Sequence, residues 1–115
     1  MTKTFKILNI GTLDSQGDIF MPGSIKLPED KNIPVLDDFD ASKKLGDVVS
    51  IEEIGKELFC TANIIVDPKG LIPAIGFKPV SKRATDGVNE YSEVELFAVG
   101  LCRLPNVDTS IKPLE

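Results

Sequence analysis

Nine glycines and eight prolines punctuate the 115 residues so evenly that the longest stretch free of both is twelve residues. Glycine surrenders the most conformational freedom inside a regular element, and proline removes a helical hydrogen bond, so a chain punctuated in this way cannot build long helices. The stretches between the breakers read at period two. From Lys56 to Val66, Leu58, Cys60, Ala62 and Ile64 fall on one face, with Phe59, Thr61, Asn63 and Ile65 opposite. From Tyr91 to Cys102, one face carries Val94, Leu96, Ala98, Gly100 and Cys102, and the other Glu93, Glu95, Phe97, Val99 and Leu101. Both are predicted strands, the second buried on both faces toward its end.

The remaining segments are shorter. Thr4 to Ile10 and Gly17 to Met21 give two strands separated by the turn-rich Thr12-Leu13-Asp14-Ser15-Gln16. Between Gly46 and Val66 the order is strand, turn, strand, a hairpin with Gly55 in the tight position. Gly70 to Pro79 reads as a core strand whose prolines, Pro73 and Pro79, suit a sheet edge. Ser81 to Asn89, rich in Lys, Asp and Gly, reads as a solvated connector, and Val35 to Leu45 is the one stretch with room for a short helix. The expectation is a single domain over residues 1–115, mainly β, a compact antiparallel barrel or sandwich with little helix, in which 107–115 form a C-terminal arm or a frayed tail.

Composition narrows the chemistry. Apolar residues at 42% and charged residues at 27% are the balance of a folded soluble protein. No run approaches the roughly 18 apolar residues of a bilayer span. Met1 to Lys6 lacks the apolar stretch of a signal peptide, so the chain is expected to stay in the compartment where it is made. A net charge of −5 with no basic cluster longer than Lys82-Arg83 or Lys43-Lys44 makes nucleic acid an unsuitable partner. The sequence has no histidine, which removes the commonest general base, the commonest zinc ligand and every Ser-His or Cys-His pair. Cys60 and Cys102 sit in apolar segments and read as buried thiols, with a disulfide left open. Asp37-Asp38-Phe39-Asp40 lacks the spacing, glycine and terminal glutamate of a calcium loop and reads as a solvated acidic turn. Neighbours on an extended segment point to opposite faces, so Ser81-Lys82 is a poor serine-lysine dyad. No metal or cofactor is expected.

Four segments carry a resemblance when taken in chain order: Gly17-Asp18-Ile19-Phe20-Met21-Pro22-Gly23-Ser24; Ile33-Pro34-Val35-Leu36 with Leu45-Gly46-Asp47-Val48; Ala74-Ile75-Gly76-Phe77; and Glu95 to Leu101 with Pro105-Asn106. Together they resemble the prohead maturation proteases of tailed bacteriophages, whose fold is shared with the herpesvirus assembly protease. The departures fall on the chemistry. Where the family has its catalytic histidine this chain has Phe39, where it has the nucleophilic serine it has Ala74, and where it has an acidic residue on the closing strand it has Ala98. Alanine has no oxygen to attack with and phenylalanine no ring nitrogen, and loss of the nucleophile or base alone costs about 10⁶ in rate in a well-studied serine protease. A short turn, Asp67 to Pro73, also stands where the family carries a helix-bearing insert.

The resemblance therefore implies a catalytically inactive, trimmed relative. Its expected place is the virion, reached through the host cytoplasm during assembly, as a capsid-associated or decoration protein. Its expected partner is the major capsid protein or another virion protein, with Ile75, Gly76 and Phe77 on a candidate peptide-binding edge. Homo-oligomers are compatible with the pattern. Two other readings stand beside it: an assembly factor or peptide-binding regulator that leaves before maturation, and an active hydrolase with a relocated serine.

Overall fold

Tight two-residue turns organise the fold. The computed structural model, which describes residues 1–103 and 107–115, contains eight strands: β1 (Thr2–Asn9), β2 (Asp18–Phe20), β3 (Ile25–Lys26), β4 (Pro34–Asp37), β5 (Asp40–Ile54), β6 (Glu57–Ile64), β7 (Ile72–Thr85) and β8 (Val88–Cys102). The β5–β6 hairpin closes at Gly55-Lys56, as expected. Gly55 has φ +60° and Lys56 is not in the left-handed region, the pattern of a type II′ turn. The β4–β5 and β7–β8 hairpins close at Asp38-Phe39 (φ 53° and 61°) and Asp86-Gly87 (φ 51° and 78°), with both central residues left-handed as in type I′ turns.

Two expectations are corrected by these hairpins. Val35 to Leu45 holds no helix: it is β4, a turn and the start of β5, because Val35 and Leu36 gain burial by pairing with Val99 and Gly100 of β8, which a weakly helical Asp-rich segment cannot match. Ser81 to Asn89 is no loose connector but the end of one long hairpin. Its β7 half is exposed on both faces, so it lacks the apolar alternation that marks a strand, and only Asp86-Gly87 signals the turn.

All eight strands belong to one sheet, which selects a curled half-barrel over a two-sheet sandwich. β1, β6, β5 and β4 follow one another in antiparallel pairs. β8 then takes β2, β3 and β4 end to end in short parallel ladders, leaving β7 to run antiparallel along its entire other edge. β1 and β7 come alongside where the sheet curls round, without a shared ladder.

The curl encloses the core. Leu58, Cys60, Ala62 and Ile64 of β6 are buried as the alternation requires, packed with Ile7, Ile10, Phe20, Val35, Val94, Leu96, Val99 and Leu101. Fully burying one such aliphatic or aromatic side chain is worth about 1.5–3 kcal/mol. Phe20 stacks on Tyr91 at 5.0 Å, with Phe77 edge-on to both at 5.1 Å. Gly46 is required by contact: a Cβ there would collide with the backbone carbonyl of Asn63 on β6.

β8 departs from strict alternation. Gly76 pairs with Ala98 but Phe77 pairs with Leu96, so Phe97 is an extra residue, a bulge. The core-facing set accordingly passes from Val94 and Leu96 to Val99 and Leu101, and Phe97 stands 53% exposed.

Residues 107–115 lie against the chain's own fold. Val107 and Ile111 are buried in a second small cluster with Ile72 and Cys102, against Ala74. The Gly70 N–H donates to the Leu114 carbonyl and the Leu114 N–H to the Leu71 carbonyl, both at 2.8 Å. The Asn9 amide donates to Ser110 Oγ at 2.9 Å. Pro105-Asn106, the last piece of the resemblance, lies outside the described residues.

Candidate functional site

Phe39 is the second residue of the β4–β5 turn, and its left-handed backbone is unusual for a bulky side chain. The ring folds back onto the outer face of β7 and β8. A Cβ placed on Gly100 would stand 2.5 Å from the ring, and one placed on Gly76 would stand 3.0 Å from both the Phe39 and the Phe97 rings. Gly100 pairs with Ala74 and Gly76 with Ala98. Three positions far apart in sequence thus gather round two glycines: Phe39 from a turn, Ala74 from β7 and Ala98 from β8. Ala98 is buried, Ala74 half-buried and Phe39 37% exposed.

Beside them a shallow trough of about 400 Å³ is lined by Leu36, Phe39, Ile75, Gly76, Phe77 and Phe97, none of which carries a polar side chain. Of the candidate edge residues, Ile75 and Phe77 send their side chains toward the core, Phe77 into the Phe20–Tyr91 cluster. Gly76 alone opens onto the outer face, beneath the two rings. Phe97, Gly100 and Leu36 were not legible as site residues, since no local motif marks a bulge or a glycine floor for a ring supplied by a distant turn.

The groups nearest this face are committed elsewhere. Asp40 accepts hydrogen bonds from the Ser42 hydroxyl (2.6 Å) and backbone N–H (2.9 Å), which hold its carboxyl below its ordinary range. Asp37 pairs with Arg103 at 3.0 Å. The acidic turn is largely exposed, as expected. Cys102 is buried, and its thiol is pushed up to about 12, first by desolvation and then by Asp38. Burial alone raises Cys60 to about 12. Both are free thiols, which settles the disulfide left open by the sequence, and thiols held so firmly protonated are inert as nucleophiles at neutral pH. Ser81 Oγ is hydrogen-bonded to Ser92 Oγ at 2.9 Å, across the ladder.

A second, narrower cleft of about 130 Å³ opens where β1 meets β7, between Ile7, Leu8, Ala74, Ile75, Asp14 and Asp108. Burial raises the Asp14 carboxyl above its ordinary value, against the lowering effect of the Asp18 and Gln16 N–H groups it accepts at 2.9 and 2.8 Å. Those bonds fold the 14–18 loop, and Asp108 accepts from Ser110 (N–H 3.0 Å, Oγ 2.8 Å). Comparison with protein-family models, with curated proteins and with solved structures found no match.

Proposed function

We propose that this chain is a non-catalytic β scaffold of the prohead protease type, serving as a structural or auxiliary virion protein of a tailed phage, capsid-associated or decoration, that holds the major capsid protein or another virion protein without cutting it. One observation carries the reading. Phe39, Ala74 and Ala98, the positions at which the resemblance implies histidine, serine and an acidic residue, meet on one face, and hydrocarbon occupies that face. Serine hydrolysis needs a hydroxyl, a base within hydrogen-bond reach and a group that orients the base, and side chains of Phe and Ala offer none of the three. An apolar trough with two half-exposed rings is instead suited to contact with another protein, where aromatic side chains carry much of the binding energy. The net charge of −5 disfavours nucleic acid on the same particle.

The test is quantitative mass spectrometry of purified mature particles and of immature proheads. The expected result is this chain in mature particles at a fixed ratio to the major capsid protein. Presence in proheads alone would replace this reading with the transient assembly factor, and absence from both would overturn it.

A further inference from the structure

We infer that the outer edge of β7, from Val80 to Thr85, takes up an acidic, extended segment of a partner protein by strand addition, an inference that rests on the partner-binding reading above. Among the described residues β7 is paired on one side only, to β8, and every residue from Lys78 to Thr85 is exposed. An unpaired strand edge presents a row of backbone N–H and C=O groups that a further strand can satisfy. Pro79 has no N–H to offer, so an added ladder begins beyond it, and Val80 to Thr85 matches the five or six residues of a common strand.

The charge on this edge identifies the occupant. From Lys78 to Thr85 there are three bases, Lys78, Lys82 and Arg83, and no acid, in a chain whose net charge is −5. The strand already bound on the inner side of β7 shows what two of these bases accept: Lys78 stands opposite Glu95 and Arg83 opposite Glu90, the latter as an ion pair at 3.6 Å, while Lys82 stands opposite Tyr91. A strand added on the outer side would set its own carboxylates against the other flank of the same side chains, and opposite charges across a ladder stabilise pairing.

Lysine on an edge can also serve to prevent pairing, and here the geometry says against whom. Two copies joined through β7 would bring bases against bases. The acidic strand β8 of a second copy is itself paired on both edges, by β7 on one and by β2, β3 and β4 on the other, and cannot be lent. Charge therefore disfavours pairing with β7 of a second copy, existing pairing withholds its β8, and the edge remains suited to an acidic segment from a different protein.

The experiment uses the full chain, ¹⁵N-labelled, and a capped synthetic peptide with the sequence of residues 88–95, Val-Asn-Glu-Tyr-Ser-Glu-Val-Glu, beside a control in which its three glutamates are lysines. The expected result is saturable shifts confined to β7 beyond Pro79, with exchange of the outward-facing amides between Val80 and Thr85 slowed about tenfold or more by the acidic peptide and not by the control. The double variant Lys82→Glu/Arg83→Glu should lose about tenfold in affinity, and the milder Lys82→Gln/Arg83→Gln pair, which places no new charge beside Glu90, should lose several-fold with an unchanged melting temperature. No saturable shift, equal binding of the lysine control, or shifts centred elsewhere would overturn the inference. If the peptide fails to bind while the protein still enters virions, the edge assignment falls and the virion reading stands; if the peptide binds a protein that no particle contains, the reverse holds.

Discussion

Ser24 has a fully buried side chain, and its hydroxyl has no hydrogen-bond partner among the described residues, although its backbone is well used: its N–H donates to the Met21 carbonyl and its own carbonyl accepts from Val94. Leaving a buried hydroxyl unpaired costs about 1–3 kcal/mol, and alanine keeps both backbone bonds. Ser24→Ala should therefore stabilise the protein by about 1 kcal/mol, read as a higher midpoint in urea with an unchanged slope. Phe39 and Gly100 make the complementary case. Adding a methyl group at residue 100 forces the Phe39 ring off its floor, an overpacking cost of about 1–3 kcal/mol. If the ring is the obstacle, Gly100→Ala should cost much less in a Phe39→Ala background, and denaturant melts of the four-member cycle measure the difference. Equal costs in both backgrounds would mean that the β7–β8 backbone, not Phe39, requires the glycine.

At the level of the strands, legibility followed burial. β6 was readable because its inner residues alternate without interruption and are all buried, and the Gly55 turn was readable because a glycine stands where a left-handed residue is needed. Three features were not. The outer half of β7 faces solvent on both sides and carries no apolar period. The β4–β5 turn places Phe39 where Asn or Gly is the usual signal, so a hairpin passed for a short helix. The bulge at Phe97 reverses the faces of β8 midway, and it shows in the register with β7 while no local residue signals it. Gly46 belongs to this scale because it joins two elements. Its missing side chain lets β5 run against the β6 backbone at Asn63, where neither partner can rotate away. Gly46→Ala should cost about 3 kcal/mol, at the upper end of overpacking penalties, and loss of protection from amide exchange should begin in the β5–β6 ladder.

For the molecule as a whole, the two buried thiols give stability a pH limb of known sign. In the unfolded chain Cys60 and Cys102 ionise near 9.0, while in the folded protein both keep their protons to about 12. The unfolded state then binds fewer protons over that interval, so stability falls as pH rises above about 9, by up to about 1.4 kcal/mol per pH unit for each thiol. Cys60→Ala should lower stability at neutral pH and make the alkaline decline shallower, which urea melts between pH 8 and 10.5 will resolve. The candidate site was legible to a different degree from the fold. The sequence points to Phe39, Ala74 and Ala98 only through a resemblance; the curled sheet is what brings a turn at residue 39 over β7 and β8, whose residues at this face lie between residues 74 and 100, and only the bulge supplies Phe97 as its neighbour. The measurement that bears most directly on the proposed function is co-sedimentation of the purified chain with assembled shells of a tailed-phage major capsid protein, the partner proposed above, followed by intact-mass analysis of both. A chain that pellets with the shells at a saturating ratio, leaving the capsid protein full length, is the predicted result; a chain that stays in the supernatant, or a capsid protein shortened on incubation, would contradict it.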